Sequence, residues 1–150
     1  MKRARKSISE SWNASGKSGS PFDMVEKGEL HAIADRLPLK DPTAISDCIR
    51  FIEADSKGLG HGRVRALMCR RLKHCPLSPA QRGRLVTCIA ERLCTGRFSE
   101  QFHDQLRLAL RLDAPRLFAA AHSCMHHSRD YVRRYAGWIL SRLPLANNHP

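Results

Sequence analysis

From Pro21 onward, apolar residues return every three or four positions and nowhere alternate over a strand-length run, so the chain reads as helices separated by short breaks. A first helix is predicted over 22–36, ending before Pro38. The second opens with Asp41 as cap and Pro42 in the first turn, and carries Ile45, Cys48, Ile49 and Ile52 on one face to about residue 55. Gly58, Gly60 and Gly62 make the clearest break, and a third helix follows over about 63–75. Ser78-Pro79 starts a fourth, to about 94, with Leu85, Cys88, Ile89 and Leu93 inward. Ser99 caps a fifth over about 100–112, striped by Phe102, Leu106, Ala109 and Leu110. Asp113 and Pro115 open a sixth over about 114–126, and Ser128 a seventh over about 129–143. The predicted class is all-α: an antiparallel stack of about seven short helices, because short links fold each helix back on the last.

Two of these helices share a pattern. Val64-Arg65 and Val132-Arg133 each open an amphipathic stretch, with leucine eight residues after the valine and proline twelve after it. At 100° per residue, Leu67, Met68, Leu72 and Cys75 occupy a sector of about 140°, and Tyr135, Ala136, Leu140 and Leu143 take the same angles. Arg71 stands in the stripe where the later copy has Ile139, so it should snorkel or pair at the core's edge. The copies lie 68 residues apart, and Phe102 to Leu110 offers a degraded middle copy, which gives a period of about 34.

This pattern resembles the HEAT-like helical repeat family in its short bacterial type, over about residues 60–144. Asp130-Tyr131-Val132-Arg133 through Ala136, Leu140 and Leu143 carries the best match, and Arg63-Val64-Arg65 through Leu72 the second. The resemblance implies an α-solenoid fragment whose curved surface binds proteins or nucleic acids and is not an enzyme. In that family a turn aspartate often pairs with the arginine after the valine. Asp130 is placed to do so in the last unit, whereas Gly62 holds the matching place in the earlier one. Some DNA glycosylases are also built of HEAT-like repeats and use tryptophan and aspartate beside a basic concavity, for which Trp138 and Asp130 are the corresponding residues here.

Composition adds a partner class. The net charge is +12 over 150 residues and is unevenly spread: about +4 in residues 1–20, −3 in 21–60, +8 in 61–112 and +3 in 113–150. Residues 1–20, with six serines and few apolar residues, read as a disordered basic arm. Residues 21–150 read as one helical-repeat domain, acidic over 21–57 and basic over 61–144. From residue 61 onward Lys73 is the only lysine against fifteen arginines, and arginine suits bidentate contacts to carboxylate or phosphate. Arg63, Arg70 and Lys73 on the third helix, Arg134, Trp138 and Arg142 on the seventh, and Arg65 and Arg133 flanking the two stripes would together make a basic strip. The expected partner is an acidic protein surface. Nucleic acid, held through its phosphates with Trp138 stacked on a base, is the alternative.

Other chemistry finds little support. His122 and His126 stand four apart beside Cys124, the spacing of a metal-gripping pair, but no further ligands appear at recognisable spacing, so no metal is expected. His74 and Cys75 are sequence neighbours and point about 100° apart, which disfavours a cysteine–histidine nucleophile. No cofactor motif is present, because the Gly58–Gly62 segment follows no strand and lacks a Walker lysine. The six cysteines never form Cys-x-x-Cys, and no apolar run reaches the roughly 20 residues of a membrane span, so a cytoplasmic setting is expected.

Overall fold

The computed structural model describes residues 22–98 and 101–143, and the arm expected over 1–20 lies outside them. The described residues are all helical and contain no strand. Their helices are α1 (Lys27–Asp35), α2 (Pro42–Ala54), α3 (His61–Leu72), α4 (Pro79–Thr95), α5 (His103–Ser123) and α6 (Asp130–Leu140), with a 3₁₀ turn at Leu37–Leu39. None of them is long and apolar enough to cross a membrane. The predicted fifth and sixth helices are the two arms of α5, which kinks at Asp113 (φ −160°, ψ 80°). Pro115 cannot donate into the preceding turn, and the Asp113 carboxylate accepts from Arg116 N at 3.3 Å to start the second arm.

The chain divides into two compact units, residues 1–76 and 77–150. Within the first unit, basic α3 packs against acidic α1 and α2. The physical reason lies in the stripe. Val64, Met68, Cys69 and Leu72 of α3 are buried in the same unit as Leu30, Ile33 and Ala34 of α1 and Ile45, Cys48, Ile49 and Ile52 of α2. Each such aliphatic side chain gains roughly 1.5–3 kcal/mol on leaving water, more than a few surface charges can redirect. The intruding Arg71 is resolved at the rim, where it donates to Ala34 O at 2.8 Å and pairs with Asp35 at 3.1 Å.

The link between α2 and α3 is closed by a buried polar knot. Ser56 Oγ and His61 Nδ1 lie 2.7 Å apart, and His61 Nε2 meets Val25 O at 2.8 Å. Arg65 donates from Nη2 to Ser56 O, and its guanidinium lies 5.2 Å from the Phe51 ring centroid. Phe22 and His61 both meet Phe51 edge-on, at 5.3 and 5.4 Å. Gly58 makes room for this, since a Cβ there would sit 2.4 Å from the His61 ring.

The second unit is built on α4. Its N-terminus is a complete capping box, with Ser78 Oγ accepting from Gln81 N and Gln81 Oε1 accepting from Ser78 N, and Gly96 in the left-handed region stops the helix. Leu85, Val86, Ile89 and Leu93 of α4 share the unit's core with Leu106, Ala109, Leu117 and Ala121 of α5 and Val132, Ala136 and Ile139 of α6. An aromatic group of Phe98, Phe102, Tyr131 and Tyr135 closes one end, with Tyr131 OH donating to Gly96 O at 2.8 Å.

Candidate functional site

The residues expected to form one basic strip meet different fates. Arg63 and Arg70 are exposed on α3, and Lys73 at its C-cap is half-buried. Arg65 corrects the expectation: it is 2% exposed and committed to the Ser56–Phe51 knot, so it offers nothing to a partner. On α6, Arg133 and Arg134 are exposed but share Asp130, at 3.2 and 3.3 Å. Arg133 also donates to His127 O and so serves the turn before its helix. His122 and His126 do not share a helical face, because α5 ends at Ser123 between them. Among the described residues no group of three or more histidine, cysteine or acidic side chains is placed to hold a metal. Ser56 and His61 have the contact distance of a nucleophile and its base, but both are buried, so the pair has a structural role.

Trp138 and Arg142 do come together, and they bring residues that the sequence pattern left apart. They line a cleft of about 310 Å³ with Arg107, Leu110, Ala114 and Phe118 of α5. Both arms of α5, before and after the Asp113 kink, therefore contribute to one cleft. The Arg142 guanidinium lies 4.6 Å from the Trp138 ring centroid and that of Arg107 lies 5.8 Å from it, while His103 meets the indole edge-on at 4.8 Å. A guanidinium over an indole gains about 0.5–1 kcal/mol at an exposed site, enough to bias both arginines toward the mouth of the cleft.

No protein-family model, curated protein or solved structure matches this chain.

Among the described residues the lining has two guanidiniums and no carboxylate. Asp104 approaches Arg107 only at 4.0 Å, and the Arg107 side chain remains 54% exposed. The floor of Leu110, Ala114 and Phe118 is apolar. A second cleft in this unit, lined by Pro79, Arg82, Gly83, Val86, Leu112 and Asp113, carries one charge of each sign and so has no such preference. Asp130 is not among the residues that line the Trp138 cleft, so the tryptophan and aspartate of the glycosylase analogy do not meet there. Arg107 and Phe118 were the residues missed from sequence. Both reach the cleft through the packing of α5 against α6, which no local pattern displays.

Proposed function

We propose that this protein is a non-enzymatic helical-repeat interaction module, a HEAT-like α-solenoid fragment working in the cytoplasm, that binds an acidic segment of a partner protein at the Trp138 cleft. Arg107 and Arg142 take the partner's carboxylates, and Leu110, Ala114 and Phe118 take an apolar side chain beside them. Arg134, one turn before Trp138 on α6, extends the cationic face. The observation that supports this most is the pair of arginines over one indole at the mouth of an apolar cleft with no carboxylate among the described residues that line it. An arginine fork matches a carboxylate bidentately, and an apolar floor under it favours a side chain over bulk solvent.

Nucleic acid is the second reading, since Trp138 beside arginines is also the makings of a base-stacking site. The protein reading is favoured because the indole already carries two guanidiniums and the edge of His103, and because Asp130 takes up charge from Arg133 and Arg134. A phosphate backbone needs a row of uncommitted cations, whereas one or two carboxylates with an apolar anchor need only the cleft.

Calorimetric titration of the full chain tests the reading with a short glutamate-rich peptide carrying one phenylalanine. Binding should weaken by about tenfold or more, some 1.4 kcal/mol, for the peptide without phenylalanine and for Arg107→Ala/Arg142→Ala. Equal binding of both peptides by both proteins would sink it. Retention of single-stranded DNA or RNA in a mobility shift, with loss in added salt and no peptide binding, would move the assignment to nucleic acid.

A further inference from the structure

Away from the cleft, the C-terminal turn of α4 meets the end of α5 through two sulfurs. Cys124, at the C-cap of α5, donates from Sγ to Cys94 Sγ at 3.0 Å. The Cys94 sulfur also lies 3.7 Å from Ala120 O and 3.6 Å from Ser123 Oγ, so it is held toward its neighbour from the α5 side. A disulfide bond is about 2.05 Å long, which leaves roughly 1 Å of movement to close. Cys94 is half-buried and Cys124 buried, so only the first presents its sulfur to a reagent in solution. The other cysteine of this unit, Cys88, stands six residues before Cys94 and hence about 120° around α4 from it.

We propose that Cys94 and Cys124 form a reversible intramolecular disulfide by exchange with a small disulfide of the glutathione class. The Cys94 thiolate attacks one sulfur of the small disulfide, and the other sulfur leaves with the bonding pair and takes up a proton. Cys124 then attacks Cys94 sulfur in the mixed disulfide and releases the second small thiol. One disulfide is reduced to two thiols while two cysteines are oxidised to one disulfide, so atoms and electrons balance. The order follows from exposure, and from burial together with the adjoining Cys94 thiol, which push the Cys124 thiol up to about 11 against the opposing Ser123 hydrogen bond. Buried thiols are poor first nucleophiles but serve as resolving partners once the mixed disulfide is beside them.

The bond would tie α4 to the second arm of α5, the arm that supplies Ala114 and Phe118 to the cleft. It encloses a loop of about 30 residues, so the oxidised chain should melt several degrees higher than the reduced one. This inference does not depend on what the cleft binds.

The test is incubation of the full chain with oxidised glutathione, followed by non-reducing tryptic mapping. Cleavage after Arg92, Arg97, Arg116 and Arg129 puts the two cysteines on separate peptides and Cys88 on a third. The expected product is one cross-linked peptide pair, 93–97 with 117–129, that dithiothreitol separates. Cys124→Ser should instead accumulate the glutathione adduct at Cys94, and Cys94→Ser should leave Cys124 unmodified. A lasting adduct on Cys94 of the wild-type chain, a cross-link to another cysteine, or thiols that stay free in 93–97 and 117–129 would overturn the proposal. The wild-type map alone decides the matter if either variant folds poorly.

Discussion

Arg65 in α3 and Arg133 in α6 each follow a valine that is buried to within 1%, yet one guanidinium is in the core and the other is in water. The difference comes from the preceding loop. Before α3, Ser56 is buried within the linking loop and leaves its carbonyl as an acceptor, which Arg65 reaches with Phe51 beneath it. Before α6 the turn stays at the surface, and Arg133 donates to His127 O and pairs with Asp130. Six positions after the arginine the contrast reverses. Arg71 reaches Ala34 O and Asp35 at the rim of its unit, whereas Ile139 is fully buried. Two helices with one pattern thus assign core and surface differently at both of these positions. A shared arginine identifies an equivalent place in the pattern, and what that arginine does depends on the loop and helix it meets.

The largest effect should come from forcing the copies to be alike. Ile139→Arg places a charge where Arg71 finds a carbonyl and a carboxylate but where Ile139 is enclosed by its core, and should cost about 4 kcal/mol or unfold the second unit. Arg71→Ile, the reverse change at a half-exposed rim, should cost only about 1 kcal/mol. Hydrogen exchange resolves the two, because the first change should raise exchange in α4–α6 and the second, weakly, in α1–α3.

Next in size, Arg65→Ala should destabilise the first unit by about 3 kcal/mol, since it removes a packed side chain and strands Ser56 O. Arg133→Ala should cost under about 0.5 kcal/mol because its partner is a surface charge. Equal costs in urea denaturation would mean that the two arginines do the same job after all. A final pair of changes separates two glycines. Gly58→Ala collides with the His61 ring and should loosen the knot by about 2 kcal/mol, while Gly137→Ala meets nothing within 4 Å on α6 and should stabilise by about 0.5–1 kcal/mol. Thermal melts of the two variants should move in opposite directions.

The helices were legible because their signals are local. Asp41-Pro42, Ser78-Pro79 and Asp113 with Pro115 act within a turn of their own positions, and each marks a boundary or a kink in the fold. The burial of Ile45, Cys48, Ile49 and Ile52 followed from period alone. Arg65 was not legible, since its fate depends on a loop carbonyl nine residues earlier, brought under it by the His61 contacts. The cleft was half legible. Trp138 of α6 and Arg142 just past its end stand four positions apart, but Arg107 and Phe118 join them only because α6 packs on α5. Periodicity gives the face of one helix, and a site between two helices needs the packing as well.

The most direct test follows Trp138 itself. In a Trp12→Phe chain it is the only tryptophan, so its fluorescence reports the cleft. Titration with the glutamate-rich phenylalanine peptide at low salt should give a saturable change that added salt reduces and Arg107→Ala/Arg142→Ala abolishes. An unchanged Trp138 signal while calorimetry records the peptide bound would contradict the cleft as the binding site.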